Sequence, residues 1–204
     1  MNRLISFEGG EGCGKTTLLN GLKEYFNENG IDYIATREPG GLPECEKIRE
    51  VLMKTENLSV TTEILLFSAS RSNLVDKVVL PNLKENRLVI MDRYFDSTRV
   101  YQGYCNNLSD EMVMNITNLA IKGAMPKITF FLDIDPVVAF ARKGGPDKGD
   151  VIENKGLEFH KKVREGFLTI AKKEPERFRV IDATKPAKEV LNEVISILKK
   201  EKII

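Results

Sequence analysis

The feature that most constrains this chain lies at its start. A short strand pattern, Leu4-Ile5-Ser6-Phe7, leads within two residues into Gly9-Gly10-Glu11-Gly12-Cys13-Gly14, closed by Lys15-Thr16-Thr17. An amphipathic segment follows at once, with Leu18, Leu19, Leu22 and Phe26 recurring at helical spacing. Glycine, four residues, then Gly-Lys-Thr is the spacing of a phosphate-binding loop between a buried strand and a helix. Glycines let the main chain curl until successive N–H groups face phosphate oxygens. The helix adds its positive N-terminal end. Lys15 can reach the β and γ phosphates of ATP, and the Thr16 hydroxyl suits Mg²⁺. Residues 9–17 are therefore expected to surround a nucleotide.

A chain that opens this way needs a parallel sheet to hold the loop, and the remaining pattern supplies one. Strands are expected over 32–35, 87–91, 128–132 and 178–181, in addition to the first. Helices are expected over 16–29, 43–54, 61–79, 95–103, 110–122, from 136, 157–173 and 188–200. The 61–79 helix is expected to stop before Pro81. Strands alternating with helices argue for a parallel sheet covered on both faces. The 204 residues suit one domain, 1–204. The net charge of +1 gives no argument for nucleic acid or an anionic membrane as partner. Three cysteines, Cys13, Cys45 and Cys105, match no metal pattern and fit a reducing compartment. No apolar run is long enough for a membrane span, so a cytoplasmic location is expected.

Several charged residues stand where apolar ones would be ordinary. Asp92 ends the apolar run 88–91, at the ligand edge of a parallel sheet, where it can bind Mg²⁺ or cap the next segment. Arg49 interrupts the stripe Cys45, Ile48, Leu52, Met53, and Arg71 interrupts the stripe Ile64, Phe67, Leu74, Val78. A buried guanidinium needs an acceptor. Two readings compete here, a structural ion pair or snorkelling side chain and a pocket for an anionic aromatic ligand. Arg37 and Glu38 after the second strand, and Arg93 after Asp92, favour the pocket, because they gather at the same sheet edge. His160, among many charges in its helix, is expected to be solvated or capping.

With these residues placed, the chain resembles bacterial thymidylate kinases. The stretches that carry the resemblance are FEGGEGCGKTT (7–17), TREPGG (36–41), EILLFSASRSNLV (63–75), DRYFDSTRVYQG (92–103), FLDIDP (131–136) and LEFHKKVREGF (157–167). The resemblance implies an α/β fold of the P-loop NTPase type, a three-layer α/β/α sandwich with a five-stranded parallel sheet and a short lid at about 142–153. It implies ATP as phosphoryl donor, Mg²⁺, dTMP as acceptor and a homodimer. Carried onto this chain, it places Glu11 on the dTMP 3′-hydroxyl, Arg93 and Arg37 on its phosphate, Arg71, Gln102 and Thr98 at the thymine edge, Phe67 on the ring, Tyr101 against the sugar, and Arg49 and Glu38 beside the transferring group.

One stretch departs from the family. The lid commonly ends Asp-Arg-Ile-Glu, whereas Asp150-Val151-Ile152-Glu153 stands here. Arg142, Lys143 or Lys148 is expected to supply the missing charge. Chemically, the acceptor is already an oxyanion, so positioning and charge neutralisation by Lys15, Mg²⁺ and arginines carry the expected catalysis. The competing enzyme is a kinase for another nucleotide or nucleoside. A GTPase is disfavoured, since Asn154-Lys155 continues as Gly156-Leu157 rather than to a guanine-reading aspartate. A non-catalytic binding module leaves the second arginine cluster unexplained.

Overall fold

The computed structural model describes residues 3–143 and 155–204. Of the expected lid, Lys148 and the rest of 144–153 lie outside the described residues, as does the Lys143 side chain.

The first strand, β1 (Leu4–Gly9), is buried along its whole length and ends in the glycine loop that opens α1 (Lys15–Glu28). Then come β2 (Tyr33–Arg37), α2 (Pro43–Lys54), α3 (Val60–Leu74), α4 (Leu80–Lys84), β3 (Leu88–Asp92), α5 (Phe95–Thr98) and α6 (Asp110–Ile121). β4 (Ile128–Asp133), α7 (Pro136–Lys143), α8 (Gly156–Lys173), β5 (Phe178–Asp182) and α9 (Ala187–Lys200) complete the order. All strand pairings are parallel, in the order β2-β3-β1-β4-β5. The expected five-stranded parallel sheet is thus present.

Helices cover both faces. α1 and α9 close one face over Phe7, Ile90, Phe130 and Ile181. On the other face, Leu4, Val89 and Met91 pack with Cys45 of α2, Leu74 of α3 and Ile121 of α6. Phe131 meets Phe167 of α8 in a stacked pair with centroids 4.9 Å apart. β1 and β3 are neighbours, yet the chain leaving β1 turns to the first face and the chain leaving β3 to the second. That divergence opens a crevice at the carboxyl edge, the usual ligand position in such sheets. The register sets Phe7 of β1 and Arg37 of β2 across from Asp92 of β3.

Pro81 does not end the helix before it. α3 passes through a π-helical turn, Val75–Val79, into α4, which contains Pro81. Proline gives no N–H, and its ring crowds the carbonyl four residues back. The widened turn just before it moves that carbonyl aside, and Asn82 Nδ2 donates to the Val78 carbonyl at 2.7 Å. The single helix expected over 95–103 is also divided. After α5 the chain takes a second π-helical turn, Arg99–Gly103.

Candidate active site

The glycine loop is shaped by close contacts that only glycine allows. Gly14 takes φ +88° at the start of α1, and Gly12 takes φ +70°. A Cβ on Gly12 would come within 2.7 Å of the Ala139 carbonyl oxygen, and one on Gly9 within 2.7 Å of Cys13 Sγ. Cys13 is therefore not a phosphate-facing side chain. Its thiol is buried in the core beneath the loop, and burial raises its pKa. The loop's outer side borders a cavity formed by residues 10–18, Arg93, Arg142, Ala183 and Lys185. Arg142 donates to the Ala183 and Thr184 carbonyls, both at 2.7 Å, which ties α7 to the loop after β5.

A second cavity lies on the other side of Lys15. Glu11, Lys15, Arg37, Glu38, Arg49, Phe67, Arg71, Asp92, Arg93, Thr98, Tyr101 and Gln102 all border it. Segments remote in sequence thus meet around one space, bordered by Arg49 and Met53 of α2 and by Phe67 and Arg71 of α3, while Cys45 and Leu74 of the same stripes pack on the sheet. Glu11, Lys15 and Arg93 border both cavities.

Each charged wall residue is held by a partner. Lys15 Nζ forms an ion pair with Asp92 Oδ1. Arg93 takes φ +63°, a left-handed backbone uncommon outside glycine. Its Nη1 donates to the Gly9 carbonyl at 2.8 Å, its Nη2 to Glu11 Oε1 at 3.0 Å, and its guanidinium carbon lies 5.5 Å from the Tyr101 ring centre. Arg71 is 1% exposed. It donates from Nε to Glu38 Oε2 at 2.8 Å and from Nη2 to Thr98 Oγ1 at 2.9 Å. Burial pushes the Glu38 pKa up against the pull of Arg71. Arg37 Nη2 bonds both carboxylate oxygens of Glu46 at 2.9 Å, and Arg49 Nη1 donates to the Pro39 carbonyl at 3.2 Å.

Glu8 was not among the residues singled out from the sequence. It is fully buried in β1, where Oε1 accepts from the Tyr94 N–H at 2.8 Å and Oε2 from Ser97 Oγ at 2.6 Å. These bonds clamp the turn that carries Arg93. Burial, with Asp96 adding repulsion, raises the Glu8 pKa to about 7, although Arg93 pulls it down. Behind the turn, buried Asp96 accepts from Arg177 at 2.6 and 2.8 Å and from Arg99 at 3.0 Å. Lys185, which borders the first cavity, was not singled out either; a lone lysine between strand and helix carries no pattern that marks it. His160 differs from its expected solvated place. It is 3% exposed, its ring edge-on to Phe140 at 5.0 Å and Phe159 at 5.6 Å. Phe140 of α7 covers the ring, while Arg164, one turn further along α8, pairs with Asp133 at the end of β4.

Two cavities that share a lysine and an arginine, one of them wrapped by a phosphate loop, suit an enzyme that passes a phosphoryl group between two bound nucleotides. The class so defined is the P-loop nucleotide kinase. Residues 7–194 match the family model described as thymidylate kinase. The thymidylate kinase of Caldanaerobacter subterraneus subsp. tengcongensis is 47% identical over 181 residues, covering 88% of this chain and 86% of that protein. That of Clostridium novyi is 42% identical, covering 96% and 97%. The crystal structure of thymidylate kinase from Ehrlichia chaffeensis superposes with a TM-score of 0.80 at 35% identity, covering 97% and 98%. The chain belongs to the thymidylate kinase family.

Proposed function

We propose that this chain, acting as one P-loop unit, transfers the γ-phosphoryl group of ATP to the phosphate of dTMP, giving dTDP and ADP. The observation that carries this reading is the meeting of the two cavities at Lys15 and Arg93. ATP lies along residues 9–17 with its γ-phosphate toward Lys15. The dTMP phosphate lies by Arg93 and Arg37, its base toward Phe67, Arg71, Thr98 and Gln102, and its sugar by Tyr101 and Glu11. Arg49 and Glu38 border the transferring group. No base is required to generate the nucleophile, because the acceptor oxygen is already anionic. Lys15 and Arg93 hold donor and acceptor oxygens in line and offset their charge.

Among the described residues no cluster of three His, Cys, Asp or Glu side chains forms a metal cage. One hydroxyl and one carboxylate, Thr16 and Asp92, fit a Mg²⁺ ion carried largely by phosphates and water. When bound there, Mg²⁺ neutralises charge on the phosphate oxygens. Arg142, with Lys148 and Lys143, remains our candidate for the additional lid charge. No helix among the described residues is long and apolar enough to cross a membrane, and the three free cysteines suit the cytoplasm. A homodimer is part of the same proposal. Leu65 on α3 and Leu119 on α6, 53% and 79% exposed, suit such a contact.

A coupled assay of ADP release with dTMP, dUMP, dCMP and dGMP as acceptors tests this reading. Turnover strongest with dTMP is expected. ADP release that no acceptor stimulates would overturn it.

A further inference from the structure

Gln102 lies in the π-helical turn Arg99–Gly103, is 2% exposed and borders the acceptor cavity. Its amide has two ends of opposite hydrogen-bonding sense, and the end that faces the cavity decides which base edge fits. Gln102 Nε2 donates to Glu63 Oε2 at 2.9 Å. An ionised carboxylate only accepts, so this contact admits the NH₂ end alone. The carbonyl Oε1 is thereby turned away from Glu63, and among the described residues no donor is bonded to it.

Arg71 presents the opposite sense. Its Nε and Nη2 are taken by Glu38 and Thr98, while its buried Nη1 has no partner among the described residues. Two residues that border the cavity thus hold unused groups of opposite sense, an enclosed donor, Arg71 Nη1, set within the wall, and an acceptor, Gln102 Oε1. A pyrimidine with a C4 carbonyl beside N3–H carries the complementary pair. Cytosine carries it reversed, an amino donor beside an N3 acceptor. Turning the Gln102 amide to suit cytosine would set its carbonyl against the Glu63 carboxylate and leave buried acceptors unpaired, which costs more than a hydrogen bond returns.

We infer that Glu63 is a specificity-determining positioning residue, which fixes the polarity of the Gln102 amide so that the cavity selects thymine and uracil over cytosine. The placement is built into α3. Glu63, Phe67 and Arg71 recur every fourth residue and share one helix face. Glu63 is not part of the cavity lining itself, so it acts through Gln102. This inference rests on the proposal that the acceptor is a pyrimidine nucleotide.

The test measures kcat and KM for dTMP, dUMP and dCMP in the wild type, Glu63→Leu and Glu63→Gln. The wild type is expected to favour dTMP and dUMP over dCMP in kcat/KM. Glu63→Leu frees the amide to turn, and the dTMP-to-dCMP ratio should fall about tenfold or more, chiefly through KM. The dTMP-to-dUMP ratio should hold, because both bases share the edge being read. Glu63→Gln keeps an acceptor oxygen and should give an intermediate ratio; it decides the matter if the leucine variant does not fold. A merely structural loss would lower all three acceptors together. An unchanged dTMP-to-dCMP ratio in a folded variant overturns the role of Glu63 alone. A wild type that takes dCMP as readily as dTMP overturns the pyrimidine-edge reading, and the role of Glu63 with it.

Discussion

The two cavities that meet at Lys15 are built by different means. The donor side comes largely from one contiguous glycine-rich run, 10–18, beside which Arg142 donates to the Ala183 and Thr184 carbonyls. The acceptor side is rich in charged side chains drawn from the phosphate loop, β2, α2, α3, β3 and the turns after β2 and β3, each held by a partner and all but Arg37 buried or half-buried. A main-chain site tolerates many side chains and is damaged where glycine is replaced. A site of buried charges is damaged by removing one partner, because the other is left without compensation.

The sharpest break in this contrast comes from Arg71. Arg71→Leu strands the Glu38 carboxylate in the core and should cost about 3–5 kcal/mol of folding stability. The Glu38→Leu/Arg71→Leu double variant should recover much of that loss. Arg142→Ala, on the donor side, should cost about 1 kcal/mol or less. Chemical denaturation of the four proteins checks this, and an Arg71→Leu cost as small as that of Arg142→Ala would erase the contrast.

Lys15→Ala strikes the shared boundary. Turnover should fall at least about 10²- to 10³-fold with little change in melting temperature, since the side chain is placed for charge rather than packing. Near-wild-type turnover would remove Lys15 from the mechanism.

Glu8 gives a pH signature to the acceptor turn. Its pKa, raised from 4.5 to about 7, means that folding favours the neutral acid. Its contribution to stability is full below about pH 4.5, falls as the pH climbs toward 7 and is level above that, an effect on the order of 3 kcal/mol. Glu8→Gln stays neutral throughout. The wild type should therefore lose stability relative to this variant between about pH 5 and about pH 8. A melting-temperature difference that does not change with pH would refute the shift.

Gly12→Ala probes the main chain of the donor side. The new Cβ meets the Ala139 carbonyl, and the left-handed backbone alone costs about 1–2 kcal/mol. KM for ATP should rise while KM for dTMP holds; equal changes in both would show that the loop shapes the two sides alike.

The same division explains what was legible in the sequence. The donor loop could be read directly, because its physics lies in adjacent residues and in the strand and helix beside them. Arg49 and Arg71 could be flagged from their apolar stripes, but a stripe does not say whether a guanidinium meets a partner or a ligand. Arg71 has partners in Glu38 and Thr98 and also borders the cavity. Glu8 carries no mark in the sequence beyond being a charge just after the expected first strand, and only its bonds to Tyr94 and Ser97, more than 80 residues away, give it a role. The π-helical turns left no periodic trace, since each is too short to set a period. His160 was misread because neighbours in sequence were weighed and the ring of Phe140 above it was not visible.

The four-residue recurrence along α3 has a bearing on how chains of this kind can vary in length. The connection between α2 and α3, residues 55–59, lies before Glu63 and can gain or lose residues without turning that face. One residue inserted between Glu63 and Arg71 would rotate everything beyond it by roughly 100° about the helix axis. The carboxylate, the aromatic ring and the guanidinium would then no longer address the same space. Between those positions, tolerance to substitution and tolerance to insertion are separate properties: side chains can be exchanged one at a time, but the spacing is inherited whole.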